Sequence, residues 1–162
     1  MTSDERNEKI ELYGRGYDLL TAALAKVPRE AWTFKPEPKE WSVHEIIIHL
    51  ADSEAIAAQQ ARLMVAEPGG IVMAYDPGAW ATNLHYHEQD TEEALQLLQL
   101  TRAFMVRWFK SLPEKAFTLS AAYPGEEDPY LLDDLLRIYA GHIPDHIEQI
   151  RKNVELWGKV KK

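Results

Sequence analysis

The chain has 162 residues, no cysteine, and a formal charge of −8 from 18 Lys and Arg against 26 Asp and Glu. One domain spanning 1–162 is expected, with about 75 apolar residues available for a core. Zero cysteine excludes a disulfide scaffold, a zinc ribbon, an iron–sulfur site and a cysteine nucleophile, and the acidic balance argues against a nucleic-acid partner.

The first residues, MTSDERNEKI, are polar and acidic, so no signal peptide is read there. No apolar run is long enough to span a membrane, and a cytoplasmic protein is expected. Helix breakers fall in three groups: Pro28, Pro36 and Pro38; Pro68 to Gly78; and Pro113 to Pro129. Four long runs between them predict helices.

The first helix is predicted over 3–27, with Ile10, Tyr13, Tyr17, Leu20 and Leu24 near one face. The second starts at a capping box of Ser42 and Glu45, stapled by Trp41 and Ile46, and continues to about 66. The third starts near Asp90 and ends before Pro113. For the fourth, Asp128 reads as the N-cap and Pro129 as the first helical residue, with Gly158 as the stop. No alternating strand pattern competes. The chain therefore reads as all-α, a four-helix bundle. The 67–89 connection is long for a hairpin and is expected to cross an end of the bundle or cover a site. Within it, Tyr75, Asp76 and Trp80 read as a packed lid or as an aromatic anchor for the loop.

Six histidines carry the chemical signal. His142 and His146 stand four apart on an apolar helical stripe with Leu135, Ile138, Tyr139, Ile143, Ile147 and Ile150, so both imidazoles face inward and can share a metal. A hydrogen-bonded core pair is the alternative, since buried imidazoles need partners. The segment is not a zincin helix, because the glutamate of H-E-x-x-H is missing. His49 lies beside the stripe of Val43, Ile46, Ile47 and Leu50 and can supply a third ligand from a facing helix. His44, His85 and His87 read as surface or loop residues. Asp52, Glu54, Asp145 and Glu148 read first as a solvated helix face and, alternatively, as acceptors of a ligand's second N–H, with Tyr139 and Gln149 as polar lining. Pro144 between the two helical histidines predicts a kink or bulge that either aims both imidazoles at one metal or spoils their i,i+4 geometry.

Trp41-Ser42 with Glu45 and His49-Leu50, Asp76 with Trp80-Ala81, and His142-x-x-x-His146-x-x-Gln149-Ile150 together resemble the DinB/YfiT-like family of metal-dependent enzymes, over roughly residues 5 to 155. The resemblance implies an up-down-down-up four-helix bundle in which His49, His142 and His146 hold one divalent metal ion. It further implies hydrolysis, or transfer and isomerisation with low-molecular-weight thiols such as bacillithiol and mycothiol, on a small-molecule substrate, and a homodimer. Zinc, nickel, iron and manganese all accept such a ligand set. Metal-bound water, acidified to a pKa of about 7, or a metal-bound thiolate would be the nucleophile; no side-chain base is identified. A non-catalytic metal- or ligand-binding stress-response module of the same fold is the second reading, and a metal-free dimeric interaction protein the third.

Overall fold

A computed structural model describes residues 1–160. Four long helices are present: α1 (Ser3–Leu24), α2 (Val43–Ala66), α4 (Thr91–Ser111) and α5 (Leu132–Val160), with a short α3 (Pro77–Asn83) between α2 and α4. The cap residues act as their chemistry requires. Ser42 accepts from the Glu45 amide while Glu45 reaches back to the Ser42 amide, completing the capping box of α2. Asp90 accepts from the amides of Glu92 and Glu93 at the start of α4, and Asp76 does the same for Gly78 and Ala79 in α3.

Three boundaries differ from the sequence reading. Helix α1 stops at Leu24 rather than at 27. The Asp128-Pro129 signal does not open a helix: Tyr130–Leu131 form a short strand, β2, paired antiparallel with β1 (Ser120–Ala121), and α5 begins at Leu132. The ladder and the Leu132 amide, which donates to the Leu119 carbonyl, engage backbone that a helical turn would need. Gly158 does not stop α5 either; the helix continues through it. Pro144 sits inside α5, and the helix runs on either side of it as one element.

Side-chain contacts fix the helix directions. Arg6 near the start of α1 meets Asp133 at the start of α5, and Gly16 lies against Ile143, so α1 and α5 are parallel. Lys110 at the end of α4 reaches Glu11, so α4 runs against α1. Trp41, just before α2, pairs with Asn153 late in α5, and Ser53 meets Tyr139, so α2 runs against α5. Ala51 and Ala94 border one hollow while Arg62 lies over Phe104 and Trp108, so α2 and α4 are parallel. The result is an up-down-down-up four-helix bundle.

Parallel α2 and α4 require the chain to return the full length of the bundle between them. The 67–90 segment does this. Val72 donates to Ala122 of the second long connection, Gln60 Nε2 donates to the Met73 carbonyl (2.7 Å), and Tyr86 is wholly buried with its hydroxyl on Asp52 (2.6 Å).

The core falls into two apolar clusters. One gathers Leu20, Ile46, Ile47, Leu50, Leu98, Ile143 and Ile150; the other gathers Tyr13, Met64, Met105, Phe109, Leu135 and Leu136. Gly16, Glu54 and Arg102 fall between these two sets on their respective helices. The bundle is thus apolar above and below a thin polar layer.

Candidate metal centre

His49 projects from α2, and His142 and His146 from α5, toward one point. The Nε2 atoms of His49 and His142 are 3.4 Å apart, and those of His142 and His146 are 3.1 Å apart. One ligand-type atom from each ring falls within 4.8 Å of the others. The α-helical spacing of four residues survives at Pro144 closely enough for the two rings of α5 to meet at 4.7 Å between centroids.

His146 Nδ1 lies 2.8 Å from Gln149 Oε1, three residues on. With the Nδ1 proton donated there, its Nε2 presents a bare lone pair to the cluster. The Nδ1 atoms of His49 and His142 are buried and without a protein partner. Burial lowers all three imidazoles: His49 to about 3, His142 to about 2, and His146 in the same direction despite the opposing effect of Gln149. Neighbouring imidazoles depress His49 and His142 further. Three neutral rings with converging nitrogens form a poor apolar core and a good cation receptor, since lone pairs packed together gain only from a shared proton or metal.

The surroundings are aromatic on one side and hydroxylic on the other. Trp41 packs over His49 (4.5 Å between centroids) and stacks on His146 (6.2 Å). Tyr139 meets the His142 ring edge-on at 5.3 Å, and its hydroxyl pairs with Ser53 Oγ at 3.2 Å. Burial raises the Tyr139 hydroxyl well above its ordinary value, so it stays protonated at neutral pH. Tyr139 also walls a cavity of about 600 Å³ together with Gln60, Tyr75, Tyr123 and Tyr130. That volume suits a small molecule. None of the three histidines lines that cavity; Tyr139, which does, touches the His142 ring.

Of the carboxylates read as partners for the ligand N–H groups, none is hydrogen-bonded to the three histidines. Asp52 takes the Tyr86 hydroxyl, Glu54 takes Arg102, and Glu148 takes Arg151. Gln149 does serve, and Tyr139 does line the site. His44 Nε2 contacts the Gln89 carbonyl at 2.9 Å and ties α2 to the loop before α4. His85 and His87 are exposed on that loop, His85 with a left-handed backbone (φ 51°), and with Glu88 they form a second, solvent-facing group of ligand-type atoms. Tyr75 and Trp80 touch each other at 4.9 Å, and Trp80 packs on the core, as an anchored loop requires.

Sequence reasoning missed Arg102, which is 1% exposed. Its signal was present: Leu95, Leu98, Arg102, Met105 and Phe109 follow a three-four repeat, so a guanidinium occupies an inward position of α4.

The fold, the converging histidines and the sequence agree on one family. The DinB superfamily profile matches residues 12–150, and the chain belongs to that superfamily. A Bacillus licheniformis protein whose name assigns it provisionally to the metal-dependent hydrolases is 26% identical over 140 residues, 86% of this chain and 80% of its own. YfiT of Bacillus subtilis, named in the same way, is 26% identical over 110 residues, covering 68% of this chain and 62% of its own. Among solved structures, YfiT, described as having an unusual four-helix-bundle topology, superposes with a TM-score of 0.89 at 20% identity, covering 98% of this chain and 90% of that one. A mycothiol-dependent maleylpyruvate isomerase superposes at 0.71 with 13% identity, over 93% of this chain and 63% of that one.

Proposed function

We propose that the chain is a single-domain metal-dependent hydrolase acting on a small molecule, with His49, His142 and His146 as the ligands of one divalent metal ion. The observation that carries this reading is the convergence of three neutral imidazole nitrogens within 4.8 Å at the α2–α5 interface. Three neutral ligands leave a dipositive ion with its full charge and at least one open position, the arrangement of catalytic rather than structural zinc sites. A metal held there would supply Lewis acidity and bring a coordinated water or thiol into its anionic form near neutral pH.

The protein's own groups have definable tasks around it. Gln149 fixes the tautomer of His146 through Nδ1. Trp41 covers the His49 and His146 rings and excludes water from that side. The Tyr139 and Ser53 hydroxyls stand at the opposite side, where the protonated phenol is available to donate to a substrate oxygen. The cavity beyond Tyr139 receives the rest of the substrate.

A second reading, thiol transfer or isomerisation at the same centre, is favoured by the structural likeness to a mycothiol-dependent isomerase. With no cysteine in the chain, the thiol would enter as a cosubstrate. Metal analysis of the purified protein is expected to find one divalent ion per chain, lost in His146→Ala; full occupancy in that variant would sink the ligand assignment. Metal-dependent turnover of an ester and amide panel supports hydrolysis. Turnover only of electrophiles presented with a low-molecular-weight thiol supports transfer.

A further inference from the structure

We propose that Arg102 is a positioning residue for the histidine centre: its guanidinium locks the two histidine-bearing helices into the register at which His49 meets His142 and His146. The proposal rests on the reading of that centre as a metal site. Helix α4 supplies no histidine to the cluster, yet its one buried cation contacts every other long helix. Nε donates to Glu54 Oε2 on α2 at 2.7 Å, Nη1 to the Tyr13 carbonyl on α1 at 2.8 Å, and Nη2 to the Tyr139 carbonyl on α5 at 2.9 Å. The Tyr13 hydroxyl closes the network by donating to Glu54 Oε1, and the guanidinium lies 4.2 Å over the Tyr13 ring.

The attachment points are telling. Glu54 follows His49 by five residues on α2, and Tyr139 precedes His142 by three on α5. The guanidinium therefore grips both ligand-bearing helices within about a turn and a half of their ligands. On α5 the grip falls where the helix is weakest. Pro144 has no N–H, so the carbonyl of Ala140 lacks its ordinary helical donor, and Arg102 binds the adjacent carbonyl of Tyr139. Gly16 shows that the position of the guanidinium is demanded. A Cβ on Gly16 would lie 2.3 Å from Arg102 Nη1 and 3.0 Å from Ile143 Cδ1. A glycine in mid-helix is unfavourable relative to alanine, and here it gives the guanidinium its room. A rigid planar fork with several donors suits this task, which lysine cannot perform.

Two variants test the proposal. The triple variant Tyr13→Phe/Glu54→Leu/Arg102→Met removes the whole polar network and leaves no unpaired charge. Arg102→Lys keeps the charge opposite Glu54 and loses the fork. Each is examined for zinc affinity by chelator competition, for the visible spectrum of bound cobalt(II), and for the imidazole resonances of His49, His142 and His146 in metal-free protein. A folded variant with zinc affinity reduced at least about tenfold, an altered cobalt spectrum and shifted imidazole resonances is the expected result. Folded variants that keep the parent's affinity, spectrum and resonances would overturn the proposal and leave Arg102 a stabilising residue only. Should the triple variant not fold, Arg102→Lys decides by the same readings. If the parent protein binds no metal, the metal reading fails, and the imidazole resonances still decide whether Arg102 sets the cluster's geometry.

Discussion

Two polar groups share the interior of this bundle, and they are built on opposite principles. Around Arg102 each guanidinium nitrogen donates to an acceptor, Glu54 or one of two backbone carbonyls, and the Tyr13 hydroxyl donates in turn to Glu54. Around His49, His142 and His146 the nitrogens converge on one another, and two ring atoms, the Nδ1 of His49 and of His142, have no protein partner. A satisfied buried network holds helices in place. An incompletely satisfied one, with lone pairs converging on a single point, has the donor set that a bound cation would satisfy. The contrast separates the part of the polar interior that closes on itself from the part that leaves ring nitrogens without a partner.

Among the single substitutions, breaking the satisfied network has the largest expected effect. Arg102→Met strands the Glu54 carboxylate in the core and is expected to cost about 3–5 kcal/mol, read as a lower urea midpoint. A pH series sharpens the other side of the comparison. In metal-free protein His49 and His142 titrate near 3 and 2, whereas an unfolded chain protonates histidine near 6.5. Between those values the unfolded chain binds more protons, so stability is full above about pH 6.5 and falls as the pH drops through that window. Melting temperatures of metal-free protein across pH 7 to 4 are expected to decline, and a variant with His49 and His142 replaced by apolar residues is expected to decline less. A melting temperature independent of pH would mean that these rings are not held neutral. Next comes Gly16→Ala, which gains helix propensity but drives a methyl into the guanidinium; a net loss of about 1–3 kcal/mol is expected in denaturant unfolding. Smallest is Gln149→Ala, which removes the hydrogen bond at His146 Nδ1 and is expected to weaken zinc binding about tenfold with little change in stability of the metal-free protein.

Much of this was legible in the residues, for identifiable reasons. Ser42 with Glu45 and Asp90 before α4 marked helix starts because capping is local chemistry. His142 and His146 declared a common face because four residues make about one turn. What failed was also local. Asp128-Pro129 carries the sign of a helix start, yet the β1–β2 pairing takes the following Tyr130 and Leu131 into a strand, and no local rule sees a partner strand ten residues upstream. Asp52 and Glu54 read as solvated residues or, alternatively, as supports for the histidines. Spacing placed them on the right helix, but their partners, Tyr86 and Arg102, come from segments whose approach only the fold determines.

The direction of the helices has a consequence for the order in which the molecule forms. Helices α1 and α2 face each other across the diagonal of the bundle, as do α4 and α5, so a ring of four neighbours is completed only through α1 with α5 and α2 with α5. His49 and His142 are separated by 93 positions along the chain. Loops that long are closed at an entropic cost before any contact rewards them, so bundles wired this way fold more slowly than those joined by successive hairpins. The three imidazoles first meet when the last helix docks. Metal capture at that point would record the completion of the topology, rewarding the finished chain and giving nothing to a partly assembled one.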